Sequence, residues 1–99
     1  MTKSELIDAV AKETGFTKKD TGEVVDTTIE TIIDYLGDEA EKSEDDRDDV
    51  QIIGFGKFEV RDRAARKGRN PQTGEDMIIP ERKVPIFRAG KTFKDSVDN

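Results

Sequence analysis

At Val50 the spacing of apolar residues changes, and that change constrains the fold more than any other feature of the chain. Before it, apolar side chains recur at helical intervals: Val25, Ile29, Ile32 and Leu36 follow one another at steps of four, three and four, and Ile33 widens the stripe. After it, Val50-Gln51-Ile52-Ile53 and Lys57-Phe58-Glu59-Val60 alternate as strands do, with Phe58 and Val60 on one side. Helices first and strands afterwards make an α+β domain.

The first half reads as a helical hairpin over residues 1–37. Thr2-Lys3-Ser4-Glu5 has the spacing of a capping box, and Leu6, Ile7 and Val10 then fall on one face. Gly15 ends this helix. Thr17 is the expected N-cap of the second, with Asp20 in the first turn, where the helix dipole favours an acid. Gly37 is the expected stop. The stripe on the second helix is long for a lone hairpin and suits packing against a second copy. Residues 38–49, DEAEKSEDDRDD, contain one alanine and no other apolar residue. They read as a solvated loop or helix extension held open by like-charge repulsion. A calcium loop is disfavoured, because the glycine that its sharp turn needs is missing.

Two glycines around Phe55 imply a tight turn between paired strands. Beyond Val60 the second strand runs on into a cationic stretch and a turn containing Asn70, Pro71 and Gly74. A return strand from Met77 to Phe87 is interrupted by Pro80 and Pro85. Proline removes a ladder donor, so the return strand belongs at an edge or in an unpaired ribbon. A two-stranded ribbon with so few apolar residues makes no core of its own and should project from the body or lie against something. Lys91 to Val97 close the chain as a short helix, with Phe93 and Val97 facing inward.

Only 32% of the 99 residues are hydrophobic and 40% are charged, so one copy has little to bury. There is no Cys to supply disulfides or thiolate ligands, and oligomerisation is the ordinary remaining way to enlarge the core. No apolar run approaches the roughly 20 residues that span a bilayer, and Lys3, Glu5 and Asp8 interrupt any signal peptide. The expected setting is soluble and intracellular. Catalysis is poorly supported. There is no His, no Cys and no phosphate-cradling glycine motif, since Gly54-Phe55-Gly56 is too short and lies between strands. No metal or cofactor is expected, and no small-molecule substrate.

Charge is distributed unevenly. The net charge is -6, yet residues 50–99 carry 11 cations against 7 acids, while residues 38–49 carry 2 against 8. Five cations (Arg61, Arg63, Arg66, Lys67 and Arg69) fall within nine residues. Local field matters more than net charge to a polyanion, and Arg and Lys gain affinity for DNA by releasing condensed counterions. Arginine also suits a narrow minor groove, where the potential is most negative. Pro71 on chemistry alone reads first as a turn former, with an apolar wedge between base pairs as the alternative.

GFGKFEVRDRAARKGRNPQTGE, the KVPIFRAGK segment and KSELIDAVAKETG together resemble the HU/IHF family of bacterial histone-like DNA-bending proteins, and HU more than IHF. The likeness extends over nearly the whole chain. Minor-groove architectural proteins have HU and IHF as standard examples, so the mechanism that follows is what the resemblance implies. It implies an intertwined homodimer with a helical base, a three-stranded antiparallel sheet forming a saddle (50–60 and 84–99) and a protruding β-ribbon arm (61–83). Each arm would lie in the minor groove of double-stranded DNA, with Pro71 wedged at a bend. Arg61, Arg63, Arg66, Lys67, Arg69 and Asn70 match the arm. Lys83, Arg88 and Lys91 would meet phosphate near the arm base and saddle, and Lys3, Lys18 and Lys19 would contact flanking DNA. Val25, Ile29, Ile32, Leu36, Phe55, Phe58 and Phe87 would form the dimer core. The implied role is largely sequence-independent bending and nucleoid compaction in the cytoplasm. Residues 38–49 depart from the family, whose link at this point is short and leans basic. Adaptation to high salt and local tuning of DNA binding are the two competing explanations of that departure. A rival function is a DNA mimic that keeps the fold and uses its acidic surface on basic proteins, although five arm cations would serve a mimic poorly.

Overall fold

The computed structural model describes residues 1–98. These form two compact units, Met1–Tyr35 and the chain from Leu36 onward.

In the first unit, α1 (Lys3–Thr14) begins where Thr2 caps it, the hydroxyl oxygen accepting the Glu5 N–H at 3.2 Å. It ends at Gly15, whose φ of 78° turns the chain and whose N–H donates to Ala11 O at 2.9 Å. The second helix, α2, spans Lys18–Glu39 and is capped by Thr17, whose hydroxyl accepts the Asp20 N–H at 3.1 Å. Both expected starts therefore hold. The expected stop at Gly37 does not, because α2 runs two residues further. A glycine inside a helix costs only about 1 kcal/mol relative to alanine. Glu39 offsets that cost by anchoring the end, accepting the Asp48 N–H at 2.6 Å and pairing with the Lys42 ammonium at 2.8 Å.

The second unit is built on an antiparallel sheet with strand order β1-β2-β5, in which β1 is Val50–Ile52, β2 Gly56–Arg63 and β5 Arg82–Ala89. Register places Phe58 opposite Phe87, Val60 opposite Pro85 and Arg63 opposite Arg82. Pro85 is tolerated because β5 is an edge strand, as the sequence led us to expect. The turn after β1 closes when Phe55 N–H donates to Ile52 O at 3.0 Å, with Gly54 at φ 87°. A separate two-stranded ribbon joins β3 (Arg66–Arg69) to β4 (Asp76–Ile79), and α3 (Lys91–Val97) follows the sheet. The sheet reaches Arg63 and resumes at Arg82, so the ribbon proper is shorter than the 61–83 expected for the arm.

Phe55, Phe58, Phe87 and Phe93 pack as one cluster, with ring centroids 5.1 Å apart for Phe55–Phe87, 4.8 Å for Phe58–Phe87 and 5.5 Å for the stacked Phe55–Phe93. Among the described residues only Ala11, Leu36 and Val60 are buried apolar side chains. Of the residues expected in a dimer core, Leu36 is buried, Val25, Ile32 and Phe58 are half-buried, and Ile29, Phe55 and Phe87 remain exposed. Val24 and Ile33 of α2 are exposed as well. No helix among the described residues is long and apolar enough to cross a membrane.

The acidic segment is not held open. Glu44–Asp46 form a single 3-10 turn behind Ser43, whose hydroxyl donates to the Asp46 carboxylate at 2.8 Å. Arg47 is then driven inward, its side chain only 4% exposed. Its guanidinium donates to Lys42 O at 3.0 Å and Ala40 O at 3.2 Å, and pairs with Asp62 on β2 at 3.0 Å. One inward cation thus supplies the carbonyl and carboxylate contacts that overcome repulsion along the segment.

Candidate nucleic-acid interface

Residues opposite one another on antiparallel strands share a face, and alternate residues change face. Lys57, Glu59, Arg61 and Arg63 of β2 therefore share one face with Arg88, Ile86, Val84 and Arg82 of β5. Phe58, Val60 and Asp62 lie on the other, with Phe87, Pro85 and Lys83. Five cations meet on the first face: Lys57, Arg61, Arg63, Arg82 and Arg88. Lys57 and Arg82 were not singled out from the sequence, although the parity of Lys57 with Arg61 and Arg63 was a readable sign. Lys83, expected with Arg88 and Lys91 to meet phosphate near the arm base and saddle, is paired with Asp62 on the face away from Arg88.

Glu59 is the hub of the cationic face and is almost fully buried. Its carboxylate accepts from the Arg88 Nε and from Arg61 Nη2 at 3.2 Å, with the Lys57 ammonium at 3.9 Å. Hydrogen bonds from Arg88 and then Arg61 hold its carboxyl below the ordinary value of 4.5 despite burial. A depressed folded-state pKa contributes stability that is complete above the unfolded value and is lost as pH falls through the folded one. Acid denaturation followed by circular dichroism should therefore show stability falling below about pH 4.5. Glu59→Gln should be less stable at neutral pH and lose less on acidification. Equal acid sensitivity in the two proteins would remove Glu59 from this role.

The ribbon carries the remaining cations. Register sets Arg66 opposite Ile79, Lys67 opposite Ile78 and Arg69 opposite Asp76. Arg66 and Lys67 are exposed, and neither enters an ion pair among the described residues; Arg69 approaches Asp76 at 4.0 Å. Where ribbon meets sheet, Arg63, Arg66 and Arg82 line one hollow with Ala64, Ile79 and Pro80. Arg63 and Arg82 are direct cross-strand neighbours, a like-charge pairing that is unfavourable without an anion between them.

Asn70 builds the tip. Its side-chain oxygen accepts the N–H groups of Gln72 at 2.8 Å and Thr73 at 3.4 Å, and its carbonyl accepts Gly74 N–H at 2.7 Å. Gly74 sits at φ 72°, and Asn70 N–H donates to Glu75 O at 2.8 Å. Pro71 takes part in none of these bonds and is exposed. The turn is thus an Asx turn carried by Asn70, with Pro71 displayed on it.

Three other expected contacts sit in ion pairs. Lys3, in the N-terminal unit, pairs with Asp26 at 2.9 Å, a contact that raises its pKa above the ordinary 10.5. Lys18 of the same unit is 3.4 Å from Asp8, and Lys91 on α3 is 2.6 Å from Asp95. Among the described residues no group of carboxylates forms a metal cage.

Known proteins match this arrangement closely. The profile of the family described as "Bacterial DNA-binding protein" spans residues 1–98. The "DNA-binding protein HU" of Geobacillus stearothermophilus is 54% identical over 97 residues, covering 98% of this chain and 99% of that protein. "DNA-binding protein HU 1" of Bacillus subtilis is 52% identical over 97 residues, covering 98% and 97%. Among solved structures, an Anabaena HU–DNA cocrystal superposes with a TM-score of 0.87 at 45% identity, covering 98% of this chain and 97% of that one. HU from Thermotoga maritima superposes at 0.65 with 36% identity and 98% of both chains covered. A profile over residues 1–98, relatives more than half identical and the shared sheet and ribbon lead to one conclusion: the chain belongs to the HU family of bacterial DNA-binding proteins.

Proposed function

We propose that the protein is an architectural DNA-binding homodimer that bends double-stranded DNA largely without regard to sequence. The observation that carries this reading is the placement of charge. An acidic chain presents Lys57, Arg61, Arg63, Arg82 and Arg88 on one sheet face and Arg66, Lys67 and Arg69 on a ribbon too poor in apolar contacts to serve as a core. The ribbon enters the minor groove, and Pro71 at its tip wedges between base pairs and supports the bend. Readout is then by phosphate contact and DNA deformability, which favours flexible or already distorted sites. Exposed Ile29 and Ile33 in the first unit, and exposed Phe55 and Phe87 in the second, each supply apolar area through which two copies join. Such a protein works on the nucleoid.

A gel-shift titration on nicked duplex at two salt concentrations tests the reading. Affinity should fall steeply as salt rises, and absence of binding even at low salt would favour the DNA-mimic alternative. Arg66→Ala should weaken binding alike on unrelated sequences and flatten the log–log salt slope by roughly 0.9 for each phosphate that is no longer neutralised. A weakening confined to one sequence would instead make Arg66 a base reader.

A further inference from the structure

The acidic segment between α2 and β1 has no part in the reading above, yet it is fixed against the strand that leads into the ribbon. β1 pairs with β2 only over Gly56–Phe58, leaving the same side of β2 without a strand neighbour from Glu59 to Arg63 among the described residues. Side chains of the segment take the backbone groups exposed there. Arg47 Nη1 donates to Val60 O at 3.4 Å, and the Glu44 carboxylate accepts Asp62 N–H at 2.6 Å. While one Glu44 oxygen holds that N–H, the other lies 3.8 Å from Arg61 Nη1. Arg61 is thereby bracketed by two carboxylates, buried Glu59 at 3.2 Å and Glu44 from the segment. We propose that Glu44 is an intramolecular phosphate mimic: it occupies one side of the Arg61 guanidinium, and the DNA backbone must displace it, so the segment sets the threshold for binding at the base of the ribbon.

The physical basis is competition for a fork of donors. A guanidinium offers five N–H groups, and carboxylate and phosphate oxygens accept them with similar geometry. With Arg61 already neutralised within the protein, exchanging carboxylate for phosphate releases fewer counterions than binding at a free arginine. Glu44 is kept in position by the Asp62 N–H and, through Arg47, by the carbonyls of Ala40 and Lys42 that follow α2. It is therefore a localised competitor rather than part of a diffuse acidic cloud.

The inference rests on the assignment of Arg61 to DNA contact, and the experiment separates the two. Affinity for a nicked duplex is measured across a salt series for wild type, Glu44→Gln, Asp45→Asn, Arg61→Ala and the Glu44→Gln/Arg61→Ala double variant. Glutamine keeps an oxygen for Asp62 N–H, so the fold is preserved. Asp45→Asn makes the same change of net charge one residue away, at an exposed position. Glu44→Gln should tighten binding about two- to fivefold, the range for a half-exposed ion pair, and steepen the salt slope. Asp45→Asn should change affinity clearly less, and Glu44→Gln should have no effect once Arg61 is gone. Equal gains from Glu44→Gln and Asp45→Asn, or a gain that persists without Arg61, would overturn the proposal and leave only net charge. If Arg61→Ala weakens binding while Glu44→Gln changes nothing, the proposal fails and the DNA assignment stands. If Arg61→Ala has no effect, the assignment itself fails and the proposal with it.

Discussion

Gly56→Ala should destabilise the protein by about 3 kcal/mol or more, the upper range for forcing extra atoms into a packed site. A Cβ at this position would stand 2.4 Å from the Arg88 carbonyl oxygen and 2.7 Å from two atoms of the Phe87 ring. The oxygen is backbone on the paired strand and cannot swing aside. The collision therefore falls on the β2–β5 ladder at the Gly56–Ala89 rung. Phe87 would be pushed out of its packing against Phe55 and Phe58, which are the aromatic surface proposed for the dimer. For a domain of this size the shift in Tm should be on the order of 15 °C, measured by calorimetry at fixed protein concentration. Sedimentation should show more monomer in the same variant. An unchanged Tm would mean that the strand pairing at this rung can relax without cost.

Pro71→Ala should reduce DNA bending far more than it reduces affinity. Phosphate contacts dominate affinity, and all the cations of the sheet face and ribbon remain, so the Kd should stay within about tenfold of wild type. The bend depends on something apolar and rigid keeping a base step unstacked, at a cost of a few kcal/mol. Alanine is too small for that. The ribbon tip is expected to survive the change, because Asn70, Gln72, Thr73, Gly74 and Glu75 carry its hydrogen bonds and Pro71 carries none. Ligase-mediated cyclisation or end-to-end energy transfer on a short duplex reads the bend directly. Equal bending by wild type and variant would remove the wedge role and leave Pro71 as a turn former, the reading its chemistry first suggested.

The contrast between these two substitutions follows the division between sheet and ribbon. Gly56 matters because two strands and a ring close over it, so its effect is felt in folding. Pro71 is exposed and carries none of the tip's hydrogen bonds, so its effect should appear only when DNA is bound. Glu59 falls between the two: buried for stability, it also holds Arg61 and Arg88 on the cationic face.

Local signals in the sequence were enough to define the elements. The apolar period separated helices from strands at Val50. Thr2, Gly15 and Thr17 marked helix ends, and the two prolines assigned the return strand to an edge. These are properties of a few consecutive residues, decided by backbone geometry and side-chain spacing. The cationic stretch running from β2 into the ribbon was legible for the same reason, since five of its charges lie within nine residues. What the sequence could not settle was which distant residues meet. Gly37 reads as a stop until Glu39 is seen anchored by Asp48 and Lys42. Lys83 reads only as a cation near the arm base until register places it opposite Asp62, on the face away from Arg88. The acidic segment reads as an open loop until the Arg47 side chain is found buried between the carbonyls of Ala40 and Lys42 and Asp62 on β2. For Lys83 and the acidic segment the deciding quantity is strand register or an open strand edge. Both are set by pairings across tens of residues, and a shift of one residue sends every side chain to the opposite face.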